Sequence, residues 1–226
     1  MKTRPDGLWQ RIGRVGLLAC AIAMAAAGLS HASPPTVAAE RRAELRAYVE
    51  SGHYDRDIRC VAIEAGDWLR ARTSRGGGKL VAVFDIDDTL LSNLPVFQRT
   101  DYAPGAADWT EWEATGEAPV IAPVLALLRA AHAANVEIVL LTGRHERRRN
   151  VTLKNLRSAG IEFPFELIMK PATHQGRTGE FKERIRRELI ARGATIILNI
   201  GDQASDLAGG FAERTFKLPN PFYLTR

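Results

Sequence analysis

The chain has 226 residues, 46% of them hydrophobic and 25% charged, enough to bury one full core within the range of ordinary globular proteins. Its formal charge of +5 is concentrated at the amino terminus, where Lys2, Arg4, Arg11 and Arg14 face a single acid, Asp6; removing that net +3 leaves about +2. The remainder lacks the basic surplus that would support a nucleic-acid partner.

The first 32 residues read as an export signal. The positive stretch is followed by an apolar run, Val15 to Leu29, and then by Ser30-His31-Ala32, with small residues at the two positions a signal peptidase reads. The apolar run is about 15 residues, short of the roughly 20 needed to span a bilayer, so cleavage after Ala32 is favoured over a membrane anchor. A lipoprotein reading, with Cys20 of Leu17-Leu18-Ala19-Cys20 as the acylated residue, is the weaker alternative, because the apolar run continues well past Cys20. Cleavage leaves Cys60 as the only cysteine, excludes an intrachain disulfide and suggests a buried, inert thiol.

Residues 33–226 are expected to form one domain. Ser33 to Ala38 reads as a short extended leader, followed by a helix from Glu40 to Ser51 ending at Gly52. A second helix, Asp57 to Arg72, places Ile58, Val61, Ala62, Ala65, Trp68 and Leu69 on one face, so Trp68 belongs to the core. Gly76 to Gly78 then deliver the chain into Leu80-Val81-Ala82-Val83-Phe84, a continuous apolar run suited to a central parallel strand.

From there strands and helices alternate. Val136 to Leu141, Phe165 to Met169, Thr195 to Ile200 and Thr215 to Leu218 read as strands; Ala122 to Ala134, Glu146 to Ala159 and Gly179 to Arg192 read as helices. This predicts an α/β protein with a parallel sheet covered on both faces, preceded by a helical extension, and with its ligand site outside the carboxyl ends of the strands.

Chemistry collects at those ends. The first strand runs into Asp85-Ile86-Asp87-Asp88-Thr89, whose crowded carboxylates repel one another unless a cation or a functional demand holds them there. A hard ion such as Mg²⁺, bound through a few oxygen ligands, fits that demand. The second strand ends in Thr142-Gly143-Arg144, where a hydroxyl and backbone N–H groups suit phosphate oxygens. Lys182 lies near the end of a helix's first turn, where the dipole disfavours a cation, which suggests a role beyond stability; the competing reading is a solvated surface lysine. The fourth strand ends in Gly201-Asp202-Gln203-Ala204-Ser205-Asp206, with the two acids spaced to share a helical face.

In this order the four segments resemble the motifs of the haloacid dehalogenase (HAD) superfamily. Phe84 to Asn93, Thr142-Gly143-Arg144 with Glu146, Arg149, Thr152, Asn155 and Leu156, Gly201 to Leu207, and the closing Leu218-Pro219-Asn220-Pro221-Phe222-Tyr223 resemble one branch, the subclass IIIB acid phosphatases and plant vegetative storage proteins. The resemblance implies a HAD-like Rossmannoid fold and an exported Mg²⁺-dependent phosphomonoesterase, periplasmic or extracellular. It implies Asp85 as the nucleophile that becomes phosphorylated and Asp87 as general acid and base. Thr142, Gly143 and Lys182 would hold the phosphate, and Asp85, Asp87 through its carbonyl, Asp202 and Asp206 would hold the metal.

The expected partner is a small nucleotide, aryl or sugar phosphate, with no nucleic acid and no stable membrane insertion. Residues 93–122 would form a small cap, in which Phe97, Tyr102, Trp109 and Trp112 either stack on substrate or fill the cap's own core. Of the arginines between Arg144 and Arg149, Arg147 and Arg148 read as solvated positions at a helix start. A non-catalytic storage or phosphate-binding protein and a phosphotransferase to alcohols remain as alternatives, the former weakened by the presence of Asp85 with Asp87.

Overall fold

A computed structural model of the chain describes residues 36–224. The chain divides into two units, Met1–Pro34 and Pro35–Arg226. The proposed signal, with Cys20, lies outside the described residues.

Five parallel strands form one sheet: β1 (Lys79–Phe84), β2 (Glu137–His145), β3 (Glu166–Lys170), β4 (Ala194–Gly201) and β5 (Thr215–Lys217), in the spatial order β3-β2-β1-β4-β5. Side-chain alternation along β1 divides the core in two. Ala82 and Phe84 face α2 (His53–Thr73) and α5 (Ala122–Ala133), whereas Val81 and Val83 meet Phe181, Ile185 and Leu189 of α7 (Thr178–Ala191). Because both faces are covered, the strands read as apolar runs. The chain leaves β1 for β2 on one side and returns as β4 on the other, so the carboxyl end of β1 is the point where the winding reverses, where open α/β sheets bind ligands. Among the described residues no helix is long and apolar enough to cross a membrane.

Several boundaries differ from expectation for local reasons. The first helix, α1 (Val37–Glu50), starts three residues before Glu40, because the Thr36 hydroxyl accepts the Ala39 N–H at 3.3 Å and caps it; Val37 and Ala38 are therefore helical, not an extended leader. Gly52, at φ +73°, is the hinge from which α2 starts at His53. Cys60 is exposed, not buried: it lies two positions from Ile58, on the opposite side of α2 from its buried stripe of Tyr54, Ile58, Ala62, Ala65 and Leu69. Trp68 is half-buried against the core and donates its indole N–H to the Ile197 carbonyl of β4 at 2.7 Å.

β2 continues to His145 with a register shift after Thr142, and the helix expected from Glu146 is a single 3-10 turn, Glu146–Arg148, followed by α6 (Arg149–Ser158). The insertion after β1 contains α3 (Leu94–Arg99) and α4 (Ala106–Thr115).

Candidate active site

The loop after β1 is a tight turn. The Ile86 carbonyl accepts the N–H groups of Leu90 and Leu91, the Asp88 N–H donates to the Leu91 carbonyl, and Asp88 sits at φ +51°, a left-handed conformation that Asp tolerates better than most residues. The Asp85 N–H donates to the Ile200 carbonyl at 3.0 Å and ties this loop to the end of β4.

Asp85, Asp202 and Asp206 are all buried, and each offers a carboxylate oxygen within 4.8 Å of the others. Lys182, equally buried, donates to Asp85 and, at 2.7 Å, to Asp206. The solvated reading of Lys182 is thereby excluded: α7 points it into the carboxylate cluster from its fifth position. Asp202 lies before the short helix α8 (Ala204–Leu207), so it does not share a helical face with Asp206. Asp206 instead closes a capping box by accepting the Gln203 N–H at 2.8 Å. A side chain at Gly201 would overlap that of Asp206, so glycine is what lets the second acid reach the cluster.

The charges set the protonation. Burial would strip the proton from Lys182, but Asp85 and Asp206 hold it on, well above the ordinary lysine range. Burial, together with Asp206, Asp202 and Asp87, pushes Asp85 up against the opposing charge of Lys182. Burial and Asp206 also raise Asp202. Three oxygen-donor acids with one lysine between them suit a hard divalent cation, which would favour the ionised carboxylates.

Asp87 turns elsewhere. Its carboxylate accepts both Arg144 Nε (2.9 Å) and Nη2 (2.8 Å), and Asn93 Nδ2 at 3.2 Å. Burial alone would raise Asp87, but the Arg144 charge and these hydrogen bonds hold it below the usual carboxylate range. Asp88 accepts the Asn93 backbone N–H at 2.8 Å and the Tyr223 hydroxyl at 2.8 Å, yet burial still lifts it to about 7.

Thr142 is fully buried, and its hydroxyl accepts the Arg144 N–H at 3.0 Å. Gly143 lines the cavity, where a Cβ would stand 2.9 Å from the Thr178 methyl. The cavity, about 350 Å³, has Asp85, Asp87 and Lys182 at its base, and its walls include Gly143, Arg144, His145, Arg147, Arg148, Trp109, Glu113 and Tyr223. Arg147 and Arg148 both line the cavity: Arg147 is exposed, as the solvated reading expects, whereas Arg148 is partly enclosed. The insertion's aromatics divide: Phe97 and Tyr102 are buried with Phe222, Trp112 donates to the Asn93 side chain at 2.7 Å, and Trp109 lines the cavity.

Sequence reasoning did not foresee the closing segment's part. Asn220 Nδ2 donates to Asp202 Oδ2 at 2.6 Å, Lys217 donates to the Asp202 carbonyl, and Tyr223 lines the cavity. Arg186, fully buried, fastens the α8 loop through the carbonyls of Asp206 (2.6 Å), Ala208 and Gly210. Its signal was its place one turn beyond Lys182 on the same helical face.

The sequence matches the family described as HAD superfamily, subfamily IIIB (acid phosphatase), over residues 7–226. It is 36% identical over 184 residues to acid phosphatase 1 of Solanum lycopersicum, covering 79% of this chain and 72% of that protein. It is 35% identical over 192 residues to vegetative storage protein 2 of Arabidopsis thaliana, covering 80% and 72%. The fold resembles the solved class C acid phosphatase from Bacillus anthracis with a TM-score of 0.68 at 21% identity, over 81% of this chain and 86% of that one. With its acidic loop after β1, its buried lysine on α7 and its second acidic pair after β4, the chain belongs to subfamily IIIB of the HAD superfamily, the acid phosphatase subfamily.

Proposed function

We propose that this chain hydrolyses small phosphomonoesters through a phosphorylated Asp85, assisted by Mg²⁺. The observation that carries the reading is the base of the cavity, where Asp85 is gripped by Lys182 and flanked by Asp202 and Asp206, with Asp87 alongside in the same loop.

Asp85 Oδ attacks phosphorus in line, forming the acyl phosphate as the bond to the leaving oxygen breaks. Lys182 and the Gly143 backbone stabilise the transferring oxygens, and Thr142 holds that turn through Arg144. Asp85, Asp202, Asp206 and the Asp87 carbonyl would hold Mg²⁺, which supplies charge neutralisation between anionic nucleophile and anionic phosphate. In the first step Asp87 passes a proton to the departing alcohol. Arg144 favours ionised Asp87, so that proton comes with the substrate, which carries one below its second ionisation near about pH 6. In the second step ionised Asp87 takes a proton from water as the water attacks the acyl phosphate, releasing inorganic phosphate. Activity accordingly falls toward alkaline pH.

The amino-terminal sequence supports export to the periplasm or beyond, with cleavage after Ala32 and lipid attachment at Cys20 as the less favoured route. The similarity to a vegetative storage protein keeps a non-catalytic storage role as the second reading. The deciding experiment is hydrolysis of an aryl phosphate by residues 33–226 at about pH 5 to 6 with Mg²⁺, with chelator, and with Asp85→Asn. Turnover lost in both controls supports the phosphatase; a folded protein inert on aryl, sugar and nucleotide phosphates favours storage. An added alcohol that yields a new phosphoester would make it a phosphotransferase.

A further inference from the structure

The cavity is far larger than one phosphoryl group requires, and the cations at its base are already committed. Arg144 is paired with Asp87, and Lys182 with Asp85 and Asp206. Farther out, the chain leaving β2 adds His145, Arg147 and Arg148 to the wall. Arg148 is mostly enclosed, its side chain 24% exposed, and its Nε is buried without a hydrogen-bond partner. Glu113 Oε2 stands 3.5 Å from that nitrogen and forms no hydrogen bond with it. Buried donors of this kind are rare unless a ligand or ordered water completes them. Arg147 has no ion pair or hydrogen bond among the described residues. The surplus is local and positive: burial, then Lys170 and Arg147, hold the His145 imidazole below its ordinary range.

We propose that Arg147 and Arg148 form a second anion subsite in the wall of the cavity, which selects phosphomonoesters whose leaving group carries a further phosphate. Two guanidinium groups lining one cavity suit a tetrahedral dianion, to which each fork can donate in parallel. Glu113 balances one of the two charges at most, so the wall stays attractive to an anion. The proposal rests on the phosphatase reading for its catalytic consequence, while its binding consequence stands alone.

The test compares a nucleoside 3′,5′-bisphosphate with the matching 5′-monophosphate, so that any contribution of the base cancels. Binding is measured calorimetrically on full-length Asp85→Asn protein, which cannot turn over, and kcat/KM on the parent chain. The bisphosphate is expected to be preferred about tenfold or more, the scale of one charge-assisted contact, with the difference residing in KM. Arg147→Ala and Arg148→Ala should each move the preference ratio toward one, and rising salt should do the same. A ratio near one in the parent, or a high ratio unchanged in both variants, would overturn the subsite. A parent that binds the bisphosphate selectively yet hydrolyses neither compound would refute the phosphatase reading and leave the subsite standing.

Discussion

Asn220→Ala should weaken divalent-cation binding without unfolding the protein. Asp202 Oδ2 accepts two short hydrogen bonds, from Asn220 Nδ2 and from Gln203 Nε2, both at 2.6 Å, while Oδ1 accepts only a long one from Thr89 at 3.4 Å. Removing Asn220 takes away one of the two groups that aim this carboxylate. The loss of a partner that orients a metal ligand typically costs about 10- to 100-fold in affinity, or about 1.4 to 2.7 kcal/mol. Asn220 Oδ1 also accepts the N–H groups of Phe222 (2.9 Å) and Tyr223 (3.4 Å), so alanine disturbs the turn as well as Asp202. Asn220→Asp separates the two effects: it keeps the turn's acceptor but places a like charge against Asp202. Calorimetric titration with Mg²⁺ or Mn²⁺ of the parent and both variants, alongside thermal unfolding, decides the matter. If the alanine variant binds the ion as well as the parent does, orientation of Asp202 by Asn220 is refuted.

Four further outcomes are expected. Asp88→Asn should flatten the pH dependence of stability in chelator. A carboxyl lifted from 3.8 to about 7 by burial stays protonated in the fold after the unfolded chain has released its proton, so stability falls as pH rises from about 4 to 7, by up to about 4 kcal/mol. Denaturant midpoints across that range would show it, and an unchanged slope in the variant would count against it. Gly201→Ala should abolish both metal binding and turnover, because the added methyl collides with Asp206; retention of either in a titration or aryl phosphate assay would contradict the geometry. Trp68→Phe leaves the Ile197 carbonyl unpaired and should lower stability by about 1 to 3 kcal/mol in denaturant unfolding, with kcat little changed. Arg144→Ala frees Asp87 from its pair, so the alkaline limb of the rate profile should move to higher pH as kcat falls.

The parts of the site written in short, contiguous stretches were legible in the sequence. An apolar strand that runs straight into Asp85, Asp87 and Asp88 can be recognised without knowing its neighbours, and the alternation beyond it specifies a parallel sheet. Lys182 stood out because a cation early in a helix is unfavourable. What stayed hidden depends on distant chain. Tyr223 reaches Asp88 across 135 positions and Arg144 reaches Asp87 across 57, and nothing local marks either pairing. The reading of Arg147 and Arg148 as a solvated helix start holds for exposed Arg147 but missed the partial enclosure of Arg148, because the register shift that carries β2 to His145 has no signal in the residues themselves. Cys60 is different: helical spacing from Ile58 places it on the outer face, and the general tendency of cysteines to be buried was the wrong guide.

The order of synthesis gives the central position of β1 a further meaning. Asp85 is made well before β4, which flanks β1, and before Asn220 and Tyr223, which close over the acids. A growing chain therefore carries Asp85 long before the partners that enclose it. A product that stops short of Asn220 would retain all five strands, yet leave Asp202 without one of its two closest partners and the cavity without its tyrosine wall. The acid cluster that the first strand begins is thus completed only when the segment carrying Asn220 and Tyr223 has been added.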